Sequence, residues 1–193
     1  MRLDKRMNVY DFDKTIFYPD SSACFFRFCL RRYPAAVCPR LPRAAVMALG
    51  YALGRVPAKT LKQQLFSFLH RIPDIDSAVT AFWKENEKRV GDWYLRQRRE
   101  DDLIISASPE FLLAPICEHL GVRLLGTRMD PHSGRIDGEN CHDVEKVRRF
   151  HAVYPDERPE AFYSDSLSDS PMAEISDTAY LVTKHKLAPW PTK

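Results

Sequence analysis

The sequence predicts an α/β fold: a doubly wound core built on a parallel sheet, with an inserted all-helical cap. Three observations predict it. A short, β-favouring segment at Asn8–Tyr10 is followed by Asp11 and Asp13, the stretch from Pro19 to Glu100 shows only helical spacing, and strands alternate with helices from Asp101 onward. Because ligands of such sheets bind at the carboxyl ends of the strands, polar residues at those ends are the first candidates for a functional site.

The composition is that of a folded protein with one good core. Of 193 residues 45% are apolar, and the net charge of +3 is too small to predict nucleic acid as a partner. Five cysteines without a Cys-x-x-Cys pair favour reduced thiols over disulfides or a zinc site. Residues 1–6 are polar and lack a secretory signal, and no apolar run approaches the ~20 residues that span a bilayer. We therefore expect a cytoplasmic protein, either soluble or peripheral at the inner face of the membrane.

The segment between the first strand and Asp101 is predicted to hold four helices. Apolar residues recur in it at three- and four-residue intervals, and prolines separate the periodic stretches. In order, Ser21 or Ser22 caps the first predicted helix, the second covers Ala44–Leu53, the third follows Pro57, and the fourth starts at Asp76 or Ser77 and runs toward Tyr94.

From Asp101 the predicted elements alternate. Ser108 is expected to cap a helix whose first residue is Pro109 and which stops at Gly121, and a later helix starts at Asp143 and ends near Phe150. The predicted strands are Leu103–Ile105, Val122–Leu125, Ala161–Tyr163 and, as the last one, Tyr180–Val182.

Asp11 and Asp13 stand where the first strand ends. Side chains alternate along a strand, so both carboxylates share one side and repel each other unless a cation separates them or a proton is shared. Mg²⁺ bound by carboxylates and a substrate phosphate would satisfy this arrangement. The alternative is an ordinary cap and turn, since Asp and Thr also favour such positions.

Further polar residues follow the other predicted strands and are expected to converge on the same sheet edge. Together with the two aspartates they supply a nucleophile, an acid/base, a hydroxyl donor, a cation and metal-binding carboxylates. Phosphoryl transfer through a covalent aspartyl-phosphate needs this set. The additional candidates are Ser106, Lys146, Asp165 and Asp169.

Four motifs stand in order along the chain: DFDKT, IISAS, the lysine of CHDVEK, and SDSLSD. In this the chain resembles phosphatases of the haloacid-dehalogenase superfamily that carry a helical cap after the first motif. The resemblance implies a Rossmann-like core of residues 1–16 and 101–193 and a cap of residues 17–100. The chain departs from the motifs of this family at two loops. Lys14 stands where the family commonly has Gly, and Ser164 and Ser166 flank Asp165 where the family often has Gly.

By this resemblance Asp11 is the nucleophile, and Asp13 is the acid that protonates the leaving oxygen and later activates water. Mg²⁺ is expected on the carboxylates of Asp11 and Asp165 and on the backbone carbonyl of Asp13.

The remaining motif residues are expected around the phosphate. Ser106, Thr15 and Lys146 would bind it, with Lys146 also balancing charge on the nucleophile. Asp169 would orient Lys146 or a metal-bound water.

The predicted cap bears on the substrate, because Ser21–Pro73 contains no Asp or Glu but nine Lys or Arg interleaved with apolar residues. Such a surface suits anionic membranes or amphiphiles, although a helical hairpin with solvated basic residues would look the same. The segments Phe28–Pro34 and Tyr163–Pro171 are similar to phosphatidylglycerophosphatase C, which makes a lipid phosphate the leading candidate and peripheral membrane contact an expectation.

Two alternatives remain open. A phosphoserine phosphatase-like enzyme would hydrolyse a small soluble phosphate, with Asp20 and Lys62 as candidate substrate-selecting residues, although Asp20 also suits a helix cap. A member of another class would be a non-catalytic membrane-binding or scaffolding protein that keeps the fold.

Overall fold

A six-stranded sheet forms the centre of the structure. The computed structural model describes residues 7–184 and 186–191, so residues 1–6, for which no secretory signal was expected, lie outside the described residues. The strands are β1 (Asn8–Tyr10), β2 (Leu103–Pro109), β3 (Arg123–Thr127), β4 (Ala161–Ser164), β5 (Thr178–Thr183) and β6 (Lys186–Pro189). Their order is β3-β2-β1-β4-β5-β6; all pairs are parallel except β5 with β6. The predicted α/β fold is confirmed.

The sixth strand corrects the prediction that Tyr180–Val182 is the last one. β6 pairs antiparallel with β5, for example Leu181 with Ala188. Its sequence has little apolar alternation and ends in Pro189, which only an edge strand tolerates. A short, exposed edge strand of this kind carries almost no signal in the sequence.

Helices cover both faces of the sheet. They are α1 (Ser21–Arg32), α2 (Pro34–Val37), α3 (Leu41–Ala52), α4 (Ala58–Phe66), α5 (Ile75–Asn86), α6 (Asp92–Gln97), α7 (Glu110–Leu120), α8 (Val144–Val153) and α9 (Ser170–Ile175). Short 3₁₀ turns lie at Cys38–Arg40, Leu69–Arg71, Glu87–Arg89 and Leu167–Asp169.

Alternation along the strands separates the core into two layers. Tyr10 and Ile104 point into a layer formed with α1, α5 and α7. Val9, Leu103 and Phe162 point the other way, into a layer with α8 and α9. Strands that are buried on both faces in this way are typical of a parallel sheet, and they leave its carboxyl edge as the place for a site.

The helical segment shares the first of these layers with the sheet. The rings of Phe25 in α1 and Phe82 in α5 meet edge to face at 5.4 Å, and Trp83 Nε1 donates to the carbonyl of Leu112 in α7 at 2.6 Å. α3 differs, because Ala44 is its one buried residue and its neighbour is α4. The division into a core and a cap at residues 16/17 and 100/101 stays a prediction.

Several helix ends differ from the prediction. Asp20, not Ser21 or Ser22, caps α1, since its carboxylate accepts from Ala23 N at 2.8 Å. Asp74 caps α5 through Ser77 N at 2.9 Å, so that helix starts before Asp76.

The fourth predicted helix is also interrupted on its way to Tyr94. The helix is interrupted between α5 and α6, where Gly91 N donates to the carbonyl of Ile16 at 2.7 Å. A tertiary hydrogen bond replaces the helical one there.

Candidate active site

The carboxyl end of β1 continues into a tight loop that carries Asp11 and Asp13. The backbone amide of Asp11 donates to the carbonyl of Tyr163 at 2.8 Å, which extends the pairing of β1 with β4. Beyond Asp13, Lys14 adopts a positive φ of 59°. Glycine takes this left-handed conformation with the least strain, so the loop keeps a shape that favours glycine although a lysine occupies the position.

Lys146 connects this loop to the loop after β4. It lies in α8 with its side chain 2% exposed, and Nζ donates to Asp11 Oδ1 at 2.6 Å and to Asp169 Oδ2 at 2.8 Å. Burial lowers the pKa of Lys146, but the two carboxylates outweigh burial and raise that pKa above its ordinary value. The ammonium group therefore stays charged and holds both carboxylates in place.

Hydroxyl groups tie the same two loops together. Thr15 Oγ1 donates to Asp11 Oδ2 at 3.3 Å and accepts from the amide of Asp165 at 2.9 Å. Ser164 Oγ donates to Asp169 Oδ2 at 2.6 Å. Thr15 is fully buried and its single hydroxyl proton is directed at Asp11, so in this structure it orients the aspartate.

The carboxylates of this edge resist ionisation together. Burial raises the pKa of Asp11 to about 7 against the lowering effect of Lys146, and Asp169 adds to the rise. Burial also raises the pKa of Asp165, against the opposing effect of Lys14. One buried lysine is thus shared by a group of acidic side chains, a charge imbalance that favours an additional cation.

Asp13 is held by serines from two other elements. Its Oδ2 accepts from Ser108 Oγ at 2.5 Å, and its Oδ1 accepts from the amide of Ser21 at 2.6 Å. Burial raises the pKa of Asp13 to about 6 and Asp20 adds to the rise, while the bonds from Ser108 and Ser21 lower it. A carboxyl group with a pKa near neutrality can both give and take a proton.

Ser108 corrects a prediction. The expected N-cap of α7 lies in β2 instead, Pro109 precedes the helix rather than opening it, and the α7 N-terminus has no side-chain cap. The Ser108 hydroxyl contacts Asp13, Ser21 and Ser22. The hydroxyl that the local pattern assigns to the N-terminus of α7 therefore donates to Asp13, a residue distant in sequence.

Ser106 lies on the same strand and is 1% exposed. Its Oγ accepts from the amide of Ser108 at 3.1 Å, so its position next to the Asp13 contacts is fixed. The hydroxyl proton of Ser106 is not used by that bond and can be directed at a bound anion.

Two further residues of the helical segment reach this edge. Lys62 of α4 donates to the carbonyl of Ala107 at 2.5 Å and to Asn140 Oδ1 at 2.9 Å. Burial lowers the pKa of Lys62 to about 8, although Asp13 and Asp20 act in the opposite direction. Asp20 is the N-cap of α1 and also lies close enough to raise the pKa of Asp13. The structure therefore brings both proposed substrate-selecting residues to the rim of the site.

The oxygen atoms at this edge fit Mg²⁺. Asp11 and Asp165 supply carboxylate oxygens, the ligand type that hard cations prefer, and Mg²⁺ ordinarily keeps several waters. Asp169 Oδ1 is buried and has no hydrogen-bond partner among the residues that the structure describes, so it can accept from such a water. Across residues 7–184 and 186–191 no three His, Cys, Asp or Glu side chains form a metal cluster, but the expected set has only two side chains and one carbonyl.

Comparison with known proteins identifies the family. Residues 9–174 match the model of the haloacid dehalogenase-like hydrolases. The chain belongs to this family. Protein CicA of Caulobacter vibrioides is 30% identical over 184 residues, which cover 88% of this chain and 82% of CicA.

Solved structures share the fold. A protein of unknown function from Bordetella pertussis Tohama I has a TM-score of 0.74 at 20% identity, covering 92% of this chain and 89% of that one. A phosphoserine phosphohydrolase-like protein from Francisella tularensis has a TM-score of 0.59 at 14% identity, covering 93% and 88%. The prediction of an enzyme of the haloacid-dehalogenase type is confirmed by the family, and the shared fold agrees with it.

Ser108 and Ser21 are the residues of this family member's site that sequence reasoning missed. A signal existed for Ser108: it stands two residues after Ser106 on the same strand, and residues at that spacing share a face. Ser21 offered no comparable signal, because its backbone amide makes the contact.

Proposed function

We propose that this protein is a Mg²⁺-dependent phosphomonoesterase that works through an aspartyl-phosphate on Asp11. The observation that carries the proposal is the buried contact of Lys146 with both Asp11 and Asp169. A lysine buried between two carboxylates fixes the nucleophile and supplies positive charge where a phosphoryl group would arrive. Ion pairs with a purely structural role could lie anywhere in the core. These lie at the carboxyl edge of the sheet, where ligands of such folds bind.

In the first step, an oxygen of Asp11 attacks the phosphorus atom, and the bond from phosphorus to the ester oxygen breaks. Asp13 gives its proton to that leaving oxygen, which departs as an alcohol. The raised pKa of Asp13 supports this role, because the carboxyl group must carry a proton near neutral pH.

In the second step, water attacks the phosphorus atom of the aspartyl-phosphate. Asp13, now ionised, takes a proton from the water, and the bond from phosphorus to the Asp11 oxygen breaks. Inorganic phosphate leaves, Asp11 is restored as a carboxylate, and Asp13 is again protonated.

The surrounding residues stabilise the phosphoryl group. Lys146 balances its charge, Ser106 donates its free hydroxyl proton to it, and Thr15 holds Asp11 in the attacking orientation. Mg²⁺ would be held by Asp11, Asp165 and the carbonyl of Asp13, and when bound it neutralises charge on the phosphoryl oxygens. Asp169 keeps Lys146 in place.

For the substrate we propose a phosphate monoester on a lipid or other amphiphile, with phosphatidylglycerophosphate as the leading candidate. Supporting it are the absence of acidic residues from Ser21–Pro73 and the similarity of two segments to phosphatidylglycerophosphatase C. The proposal includes a cytoplasmic location with peripheral contact at the inner face of the membrane.

A second candidate is a small soluble phosphate such as phosphoserine. Asp20 and Lys62 favour it, because a carboxylate and an ammonium group at one rim could recognise an amine and an anionic group of one substrate. The fold shared with a phosphoserine phosphohydrolase-like protein is compatible with this alternative.

Two assays test the proposal. The first compares wild type with Asp11→Asn on p-nitrophenyl phosphate with Mg²⁺; the amide cannot act as nucleophile, so turnover should vanish, and retained turnover would refute the mechanism. Inactivity of wild type on a broad panel of phosphates would favour the non-catalytic alternative.

The second assay compares phosphatidylglycerophosphate in mixed micelles with phosphoserine. Faster turnover of the lipid supports the leading candidate. Efficient phosphoserine turnover without lipid turnover would establish the soluble alternative.

A further inference from the structure

The outer face of α3 is exposed and apolar. Side chains of Val46 and Leu49 are 70% and 63% exposed, and Leu53 just beyond the helix is 58% exposed. Five of the eleven large apolar side chains exposed in the described part of the chain lie between Leu41 and Leu53. Exposed apolar groups that are scattered singly need no explanation, but a contiguous set marks an interaction surface.

Four of these five residues, Leu41, Val46, Leu49 and Leu53, follow the spacing of one helix face. Tyr51 lies seven residues after the buried Ala44 and therefore belongs to the opposite side. Small uncharged residues complete the face. We call this set the α3 face: Leu41, Pro42, Ala45, Val46, Ala48, Leu49, Ala52 and Leu53.

The opposite side of α3 accounts for its place in the fold. Ala44 is buried there, and a Cβ on Gly50 would lie 2.7 Å from Val56 Cγ2, so the chain after the helix approaches closely. Ala44 and Gly50 allow α3 to approach Val56 and α4 closely, while Val46, Leu49 and Leu53 stay outside. The α3 face is therefore not required by the packing of the fold.

The chain on either side of the α3 face in the sequence carries charge of one sign. Arg43 on the helix and Arg55 after it are exposed, and the whole stretch Ser21–Pro73 contains no acidic residue. An apolar face flanked by arginines is complementary to a surface with an apolar interior and anionic groups at its boundary. An acidic protein would match the arginines but not the uncharged face between them.

The length of the helix decides how it would meet such a surface. Twelve residues rise ~18 Å, well short of the ~30 Å hydrocarbon core of a bilayer. No helix among the described residues is long and apolar enough to cross a membrane. A helix of this kind lies parallel to the surface with its apolar side chains inserted.

We infer that the α3 face docks the protein onto an anionic bilayer surface. This deepens the proposed action on an amphiphilic phosphate, but its geometry is independent of the catalytic groups. Val46, Leu49 and Leu53 enter the boundary between headgroups and acyl chains, while Arg43 and Arg55 contact the headgroups.

Flotation with lipid vesicles tests the inference, using the full chain and vesicles of phosphatidylcholine with or without phosphatidylglycerol. Wild type should float with the anionic vesicles and not with the neutral ones. Val46→Gln with Leu49→Gln should weaken binding about tenfold or more, because two inserted apolar side chains are lost. Arg43→Gln and Arg55→Gln should each weaken it about fivefold.

Matched controls carry the same changes elsewhere. Leu95→Gln with Val153→Gln alters two exposed apolar residues outside the segment, and Arg96→Gln with Arg128→Gln alters two exposed arginines. Both double variants should bind vesicles like wild type. Equal losses in the controls, or no binding of wild type to anionic vesicles, would overturn the inference.

Self-association is the competing use of an apolar face. Light scattering should find the same mass for wild type and for the Val46→Gln, Leu49→Gln variant; a dimer that this variant dissolves would overturn membrane docking.

Asp11→Asn separates the inference from the proposed function, because it should bind vesicles like wild type. Vesicle binding without phosphatase activity in wild type would contradict only the proposed function. Activity on p-nitrophenyl phosphate without vesicle binding would contradict only the docking.

Discussion

Ser108 Oγ donates a hydrogen bond to Asp13 Oδ2 at 2.5 Å, across 95 residues of sequence. The other carboxylate oxygen accepts from the amide of Ser21. Asp13 is therefore held by a strand of the sheet and by the first turn of α1 at the same time. The orientation of this proposed acid/base therefore depends on how α1 packs against the sheet.

Ser108→Ala should impair the enzyme according to the leaving group. If Asp13 protonates the leaving oxygen, an alkyl phosphate should lose ~10-fold or more in kcat/KM, which reports the first step and not the hydrolysis of the aspartyl-phosphate; this is part of the 10²–10⁴ that a general acid contributes. The p-nitrophenolate ion leaves with little protonation, so p-nitrophenyl phosphate should be affected much less. Ser22→Ala is the control, since Ser22 contacts Ser108 but has no bond to Asp13. Equal losses on both substrates would contradict the positioning of Asp13 by Ser108.

Asp13→Asn and Asp165→Ala should separate proton transfer from metal binding. Asp13→Asn should slow turnover by ~10²–10⁴ at saturating Mg²⁺, because the side chain loses its proton while the backbone carbonyl remains. Asp165→Ala should instead raise the Mg²⁺ concentration needed for half-maximal activity. Titrating Mg²⁺ against activity for both variants distinguishes them. If excess Mg²⁺ restored Asp13→Asn and not Asp165→Ala, the two roles would be reversed.

The sequence predicts the framework of this site well, because the framework follows local rules. Asn8–Tyr10 is short, favours a strand and is followed by Asp11 and Asp13, and the alternation after Asp101 indicates parallel strands whose ends meet. Lys146 could be singled out only together with the other motifs, since a lysine on a helix is ordinarily exposed. The structure buries it against Asp11, a contact across 135 residues.

The sequence does not predict contacts of side chains that have more than one possible hydrogen-bond partner. Ser108 can cap a helix or bind a distant carboxylate, and only the folded chain shows that Asp13 takes it. Asp20 likewise suits a cap or a binding role, and the structure gives it the cap beside the site. β6 and the break at Gly91 escape prediction because an edge strand and a single tertiary hydrogen bond leave no periodic pattern.

Lys146→Met should destabilise the protein strongly. The change leaves Asp11 and Asp169 buried without their cation, and breaking a buried ion pair on one side costs ~3–5 kcal/mol of the free energy of unfolding. Urea denaturation in the presence of EDTA measures this loss without a metal ion. Arg148→Met on the same helix is the control, since its bond to Glu145 is exposed and should be worth less than ~1 kcal/mol. Equal stability of the two variants would show that Lys146 does not hold the loops together.

Lys62 should make substrate binding sensitive to pH above neutrality. Its bonds to Ala107 and Asn140 use two of the three ammonium protons and involve no carboxylate, so one N–H and the whole positive charge remain for a substrate anion. Because burial lowers its pKa to about 8, the charge is present below that pH and is lost as the pH rises through it. For a substrate with a second anionic group, kcat/KM should therefore fall more steeply above pH 8 than the loss of the Asp13 proton alone makes it fall.

Two variants at this position test whether Lys62 causes the fall. Lys62→Arg keeps its charge at any accessible pH, so its profile should follow the loss of the Asp13 proton alone and lack the additional fall that wild type shows above pH 8. Lys62→Met should have a low kcat/KM throughout and show no inflection near pH 8, while p-nitrophenyl phosphate, which has no second anionic group, should respond weakly to either change. A wild-type inflection that persists in Lys62→Met would assign the titration to another group and remove Lys62 from substrate selection.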